Sequence, residues 1–198
     1  EPGVFLAHPL EILYVWKGGL ASHGGLIGIL IALYLYSKKH PEEPYLWLLD
    51  RLTVPAVFGA FLIRMGNFFN SEIVGIPTNV PWAIIFTEAD RHGDIPGNIP
   101  RHPSMLYEAV CYLVFFFILA FIYRYYRERL PKGLSLGLLF VLVFTARFFL
   151  EFYKTKQENF ESGYLNMGQY LSIPFVVVGL YFIFKSFKNR PPIENKKT

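Results

Sequence analysis

Long apolar runs alternate with short polar segments along the chain, and this pattern predicts membrane-spanning helices. A helix needs about 20 mostly apolar residues to cross the hydrocarbon core of a bilayer. Five runs approach or exceed that length, over roughly residues 23–37, 46–69, 104–124, 134–153 and 168–186. A soluble protein with apolar core helices is the alternative, but one core does not need five such runs. We therefore predict an all-α fold, a polytopic transmembrane helical bundle forming one integral membrane domain over residues 1–198.

The longest segment between these runs, residues 71–103, is rich in Gly and Pro. Loops of this length are usually functional or disordered. Its one apolar stretch, PWAIIF, predicts a strand or an arm lying on the surface. Trp82 and Phe86 are typical of residues at a membrane–water interface. We expect an ordered, outward-facing cap.

Charge distribution predicts the orientation of the spans. The composition is 53% hydrophobic and only 17% charged, against about 25% charged in soluble domains. One set of alternate loops carries eleven Lys and Arg residues and the opposite set five, so the first set is predicted to be cytoplasmic. Residues 71–103 then form a periplasmic cap, and the polar tail 188–198 is cytoplasmic. The net charge of +4 is modest, and we predict no nucleic-acid partner.

Six ionisable residues interrupt the apolar runs. A charge in a membrane segment costs about 2.5 to 3.5 kcal/mol on insertion scales, so it usually faces the interior, has a partner and serves a site. These residues are Asp50, Arg51, Arg64, Glu108, Arg147 and Glu151.

Arg64 and Arg147 are predicted to lie at one depth. Each is about six residues, or about 9 Å, below the outer end of its span. Guanidinium groups bind phosphate oxygens bidentately, so the phosphate of an outer-leaflet lipid is the expected ligand. The alternative is a purely structural pair with a carboxylate. Arg147 has Glu151 at i+4 on its own face, whereas the helix of Arg64 offers no carboxylate before Glu72.

The stretch RMGNFFNSEIVG is dense in polar groups where a span should end. Arg64, Asn67 and Asn70 recur at a spacing that puts them on roughly one helix face. We expect Gly66 to allow a close backbone approach. An Asn-rich helix terminus without further function is the alternative.

Two histidines precede apolar runs at the outer side. His23, in SHGGLIG, could take a proton from a nucleophile, or it could serve as a capping residue. His102 is followed by Tyr107 and by Glu108, which is expected to pair with an Arg or to be protonated. No metal-binding motif occurs, and the single cysteine, Cys111, is interpreted as an inert buried thiol.

These residues predict a membrane site for a phosphate-bearing lipid, with a candidate base but no nucleophile of its own. A transferase that takes its nucleophile from a second substrate fits this description. A transporter or lipid-binding membrane protein is the alternative. Such a passage would place charges at mid-membrane depth on several helices, whereas the two Arg residues are displaced outward.

The motifs SHGGLIG, RMGNFFNSEIVG, RHPSMLYEA, ARFFLEFYK and MGQYLS, in this order, resemble the bacterial prolipoprotein diacylglyceryl transferase family over essentially the whole chain. The resemblance implies transfer of the sn-1,2-diacylglyceryl group of phosphatidylglycerol to the lipobox cysteine of a preprolipoprotein. A thioether forms and glycerol 1-phosphate leaves, which is the first step of lipoprotein maturation. It also implies no cofactor, and a location among the lipids of the bacterial inner membrane with the site open to the periplasm.

The resemblance also suggests roles for individual residues. Arg64 and Arg147 would hold the phosphate, Glu151 would orient Arg147, and His23 is the candidate base for the thiol; these four are the predicted catalytic residues. Besides Arg64, the predicted substrate-binding residues are Asn67, Asn70, Glu72, Gly75, His102 and Tyr107.

The chain departs from the family pattern at three points. Met105 stands where a Gln is usual, which casts doubt on a polar role there. Lys154 stands where an Arg often follows the Glu, and it keeps the charge without the fork. Family members have about two further amino-terminal spans, so the chain resembles a fragment of a seven-span protein.

Overall fold

The structure, a computed structural model, describes residues 22–89, 97–155 and 165–188. Its described part contains α1 (Ser22–Lys39), α2 (Tyr45–Phe69), β1 (Ile84–Ile85), β2 (Pro100–Arg101), α3 (Ser104–Tyr126), α4 (Leu134–Leu150) and α5 (Met167–Lys188). Single 3₁₀ turns, Arg127–Arg129 and Glu151–Tyr153, follow α3 and α4. The predicted all-α class is confirmed.

Four helices of the described part are long and apolar enough to cross a membrane: Tyr45–Phe69, Ser104–Tyr126, Leu134–Tyr153 and Met167–Lys188. They match four of the five predicted spans to within about two residues, and the protein is a multi-pass membrane protein. The fifth predicted span, 23–37, is helical as part of α1. The 18 residues of α1 include Lys38 and Lys39, so its apolar part is shorter, and its passage through the membrane stays a prediction.

The chain divides into two units, residues 1–48 and 49–198. In the first unit, the Tyr45 hydroxyl donates a hydrogen bond of 3.3 Å to the Leu30 carbonyl oxygen. The Tyr34 and Tyr45 rings meet edge to face, with 5.9 Å between their centroids. These contacts join the middle of α1 to the first turn of α2.

In the second unit, α4 and α5 pack at very short range. An added Cβ at Gly137 would lie 2.7 Å from the Gly179 carbonyl oxygen, and one at Gly179 would lie 2.8 Å from that of Gly137. Small residues allow helices in membranes to approach this closely, and dispersion contacts then stabilise the pair. The Phe144 and Phe175 rings stack nearby, 4.2 Å apart.

Larger side chains fill the space between α2, α3 and α4. Val57, Tyr112 and Leu119 are buried in one cluster, which Leu138 and Val143 of α4 join. Many large apolar side chains on the outside remain exposed, as expected of helices that a bilayer surrounds. The apolar cluster therefore lies inside the bundle, between α2, α3 and α4.

The cap contains the strand predicted in PWAIIF. Ile84 and Ile85 form β1, which pairs antiparallel with β2 in the register Ile84 with Arg101. The prediction that Phe86 lies at the membrane interface is wrong. Its side chain is buried with Val74 and Met105, and its ring meets that of Phe68 at the end of α2. Trp82, by contrast, is well exposed.

The first two ionisable residues of the apolar runs have structural partners. The buried Asp50 carboxylate accepts hydrogen bonds from the backbone N–H groups of Gly133 and Leu136, at 2.5 and 2.9 Å. These groups lie at the start of α4, so Asp50 caps that helix from α2. Arg51 lies over the Tyr123 ring, 5.8 Å from its centroid. The predicted tail 188–198 lies outside the described residues, apart from Lys188 itself.

Asp50→Ala is expected to destabilise the protein by about 1 to 3 kcal/mol, because it leaves buried N–H groups at the start of α4 without acceptors. Thermal unfolding in detergent would measure this loss as a lower midpoint. Glu42→Ala is the control, since this exposed carboxylate caps no helix, and its midpoint should stay near the wild-type value. Equal midpoints for the two variants would contradict the capping role.

Candidate functional site

A chain of ion pairs joins three elements of the second unit. Arg64 Nε, on α2, lies 2.7 Å from Glu108 Oε2, on α3. Lys154 Nζ lies 2.9 Å from Glu108 Oε1 and 3.2 Å from Glu151 Oε2. Glu108 is completely buried and Lys154 nearly so. The expectation that Glu108 pairs with an Arg is confirmed.

The ends of these elements bring the charges together. Arg64 lies near the end of α2, Glu108 lies near the start of α3, and Glu151 and Lys154 follow α4. Charges at this depth are expensive unless opposite charges meet them, and removing one member of a buried pair costs about 3 to 5 kcal/mol. These ion pairs therefore stabilise the fold, and the same residues are candidates for a role in catalysis.

A second network extends from Arg64 into the segment after α2. Arg64 Nη1 donates to Asn67 Oδ1 at 3.2 Å, and Asn67 Nδ2 donates to Glu72 Oε2 at 2.7 Å. The prediction that Arg64 and Asn67 share a face is confirmed. Asn70 is exposed and reaches only Glu72, at 3.5 Å, so it lies at the edge of the network.

The backbone around Glu72 adopts an uncommon conformation. Ser71 and Ile73 have φ angles of 57° and 55°, in the left-handed region that β-branched residues such as Ile avoid. Strain of this kind costs about 1 to 3 kcal/mol per residue and is common at functional sites. The Ser104 hydroxyl holds the turn by donating to the Ile73 carbonyl oxygen at 2.9 Å. The turn directs Glu72 back toward Asn67.

Gly75 lies where three segments cross. Its N–H donates to the His102 carbonyl oxygen at 2.9 Å, and the next N–H, of Ile76, donates to that of Tyr153 at 3.0 Å. An added Cβ at Gly75 would lie 2.6 Å from the Tyr153 oxygen, so no other residue fits. Gly66 is different, because an added Cβ there meets nothing within 4 Å in the described structure. The expectation of a close backbone approach at Gly66 is wrong, and Gly75 is the position that requires it.

The predicted pair of Arg147 with Glu151 does not form. The Glu151 N–H donates to the Arg147 carbonyl oxygen, so the backbone keeps the i+4 relation, but the Glu151 carboxylate lies against Gly168 instead. Glu151 pairs instead with Lys154, at i+3. Arg147 has no hydrogen bond or ion pair within residues 22–89, 97–155 and 165–188, although its Nε is buried.

Arg64 and Arg147 nevertheless share one region of the bundle. Both guanidinium groups interact electrostatically with the hydroxyl group of Tyr112 on α3. Tyr112 is itself buried, one helical turn from Glu108. That the two Arg residues lie at a common depth in the membrane stays a prediction.

The start of α5 makes room for Glu151. An added Cβ at Gly168 would lie 2.7 Å from the Glu151 carboxyl carbon. Gly168 belongs to the first turn of α5, where the positive end of the helix dipole favours a carboxylate. Gln169 Nε2 donates to the Phe148 carbonyl oxygen at 3.2 Å and thereby joins this turn to α4. Gly168 and Gln169 thus help to position Glu151 against the first turn of α5.

His102 and Tyr107 form a separate polar group in the cap. Trp82 Nε1 donates to the Tyr107 hydroxyl oxygen at 2.8 Å, and that hydroxyl lies 3.0 Å from His102 Nδ1. The His102 ring also meets that of Tyr153, 5.2 Å away. This group reaches the main site through Gly75. The side chain of His23 lies outside the described residues.

Sequence reasoning missed the contributions of Lys154, Tyr112 and Gly168, and it left Glu108 out of the site. Glu108 was detectable as a charge in an apolar run, and Tyr112 follows it at i+4. The partner of Lys154 and the neighbour of Gly168 are distant in sequence, so no local pattern marks them. Within the part of the chain that the structure describes, no three His, Cys, Asp or Glu side chains are placed to hold a metal ion.

Replacing each of two glycines of the RMGNFFNSEIVG segment by Ala should have opposite effects. Gly75→Ala collides with rigid backbone and should lower the yield and the unfolding midpoint of the protein strongly. Gly66→Ala is the matched control, because its methyl group enters open space within α2 and gains about 0.5 to 1 kcal/mol of helix propensity. Thermal unfolding of both variants in detergent checks this, and equal tolerance would contradict the crossing at Gly75.

Comparison with known proteins agrees with the geometry. The family model described as prolipoprotein diacylglyceryl transferase matches residues 4–185. A phosphatidylglycerol–prolipoprotein diacylglyceryl transferase of Chloroherpeton thalassium is 50% identical over 95% of this chain and 68% of its own length. Proteins of the same name from Tolumonas auensis and Porphyromonas gingivalis are 44% and 43% identical, over 96% and 99% of this chain and 71% of their own lengths. This multi-pass membrane protein belongs to the prolipoprotein diacylglyceryl transferase family, and it is an enzyme of that class.

Proposed function

We propose that the protein transfers the sn-1,2-diacylglyceryl group of phosphatidylglycerol to the lipobox cysteine thiol of a preprolipoprotein. The names of its relatives, which give phosphatidylglycerol as lipid and prolipoprotein as acceptor, support this proposal. In the reaction a carbon–sulfur bond forms as the bond between the glyceryl carbon and the phosphate oxygen breaks. The thiol proton goes to a base, and glycerol 1-phosphate leaves with the electron pair. The reaction is the first step of lipoprotein maturation.

The observation that carries the proposed mechanism is the guanidinium group of Arg147. It makes no hydrogen bond or ion pair with the described residues, and its Nε is buried. A buried cationic donor without a partner is costly, and an anionic ligand would remove that cost. The phosphate of the lipid has the charge and the geometry for this role. Arg147 is therefore assigned to bind the phosphate and to offset the charge that grows on the leaving group.

Arg64 is assigned to the other side of the same phosphate. One donor faces Glu108 and another faces Asn67, which leaves further N–H groups for a ligand. Asn67 is assigned to orient Arg64, because its own amide is held by Glu72. Glu151 is assigned to hold Lys154 rather than Arg147.

The remaining site residues are assigned to the walls of the substrate-binding region. Gly75 supports this part of the cap through its backbone contacts. His102 and Tyr107 present an aromatic and polar surface beside it. Asn70 and Glu72 end the polar network on the exposed side.

The proposed location is the bacterial inner membrane, with the active site toward the periplasm. The distribution of Lys and Arg between alternate loops supports this orientation. The cap and the charged site both lie at the C-terminal ends of α2 and α4 and at the N-terminal end of α3. In this position the site would meet phosphatidylglycerol of the outer leaflet and a lipobox that has already crossed the membrane.

The test of this proposal is the formation of a thioether. Purified protein is mixed with phosphatidylglycerol and a lipobox peptide, and mass spectrometry follows the diacylglyceryl adduct on cysteine. Arg147→Lys should lower the rate at least about tenfold, because a point charge does not replace a bidentate fork. Arg124→Lys, at an exposed position near the end of α3, is the control and should retain the wild-type rate. Binding of the lipid without adduct formation would favour a transporter or lipid-binding protein.

His23 is assigned as the base for the thiol proton. His23→Gln should then slow transfer by about 10² to 10⁴ at neutral pH. The loss should shrink as the pH approaches the thiol pKa of about 8.5, because the thiolate then forms without a base. Rate profiles of both enzymes at saturating phosphatidylglycerol would measure this. Parallel profiles would leave His23 without a role in proton transfer.

A further inference from the structure

Glu108 differs from every other carboxylate described at the site in having no solvent exposure at all. Each of its oxygens faces a different cation, Arg64 at 2.7 Å and Lys154 at 2.9 Å. The two cations come from different segments, α2 and the residues after α4. A buried carboxylate placed between two such partners contacts both of them at once.

The contact with Glu108 constrains how the Arg64 guanidinium can lie. This group is rigid and planar, so a single acceptor leaves it free to turn about one contact. Here Nε faces Glu108 while Nη1 donates to Asn67 Oδ1 at 3.2 Å. An ion-pair partner at Nε and a hydrogen-bond acceptor at Nη1 together restrict the plane of the group. They therefore also fix the direction in which its remaining N–H donors point.

Asn67 alone is a weaker constraint. Its hydrogen bond to Arg64 is long and neutral on the acceptor side, whereas the Glu108 contact is short and charged. Asn67 also lies on the same helix as Arg64, so it moves with it. Glu108 holds Arg64 relative to a second helix.

We infer that Glu108 is a positioning residue for transfer, acting through Arg64 by fixing the plane of its guanidinium group. The inference rests on the proposed function, in which Arg64 binds the phosphate of phosphatidylglycerol. Glu108 itself touches no substrate in this scheme. Lys154 pairs with the second oxygen of the Glu108 carboxylate and restrains its rotation away from Arg64.

A double-mutant cycle tests the inference. Glu108→Gln keeps the shape of the side chain but presents an NH₂ group to one of the two cations. It should lower kcat about 10- to 100-fold, as removal of a residue that orients a functional group usually does, with a smaller change in KM for phosphatidylglycerol. In an Arg64→Lys background there is no planar guanidinium group to orient. There the same change should lower kcat less than about threefold.

Glu151→Gln is the matched control. Glu151 contacts Lys154 but not Arg64, so its effect should be the same factor in both backgrounds. A Glu108 that only stabilises the fold would lower the yield and the unfolding midpoint, whereas kcat per folded protein would stay near its starting value in both backgrounds. Equal factors for Glu108→Gln in the two backgrounds would therefore overturn the inference.

If Glu108→Gln alone does not assemble, the cycle is run with Lys154→Met in all four proteins. The amide then faces only Arg64, and the removed negative charge is matched by a removed positive charge. A wild-type protein that forms no thioether would defeat the proposed function. The positioning of Arg64 is then decided by the same cycle on another readout, the rise in unfolding midpoint that phosphatidylglycerol produces over phosphatidylcholine. Additive losses in that rise would overturn it, and non-additive losses would support it.

Discussion

The rest of the site depends on the neutralisation of one buried carboxylate. Glu108 lies inside a bundle of apolar helices with no access to solvent, and such a charge is tolerated only where opposite charges meet it. Arg64 and Lys154 do so from two directions. Because these residues belong to α2 and to the segment after α4, electrostatic balance requires that both segments and α3 meet at one level. The same requirement brings the functional groups of three segments into one place.

Around Glu108, glycine residues allow close contacts that a side chain at the same position would prevent. Gly75 lets the segment after α2 touch the carbonyl oxygens of His102 and Tyr153, and Gly168 lets Glu151 rest against the first turn of α5. Strained residues at Ser71 and Ile73 return the chain toward the site. Arg147 alone among the site's described cations makes no hydrogen bond or ion pair with a described residue, so one cation remains for a ligand. This combination fits an enzyme that binds an anionic lipid.

Where sequence reasoning failed, the cause was a neighbour that the local pattern does not show. The i+4 rule predicted a pair of Arg147 with Glu151, but the Glu151 carboxylate lies against Gly168 of α5 and pairs with Lys154. Phe86 has the character of an interfacial aromatic, yet a ring at the end of α2 and the start of α3 bury it. Gly66 and Gly75 look alike in one motif, and only the segments that cross at Gly75 distinguish them.

The sequence by itself determined the four long spans, the family, and the presence of costly charges near one end of the bundle. These are properties of local composition and periodicity, which a run of neighbouring residues specifies. The identity of each ionic partner was decided only by the tertiary structure. Lys154 meets Glu108, and Asp50 caps α4, across 46 and about 85 residues of chain. Such contacts depend on how helices end and pack, because a charge in an apolar interior pairs with whichever opposite charge the fold brings within reach.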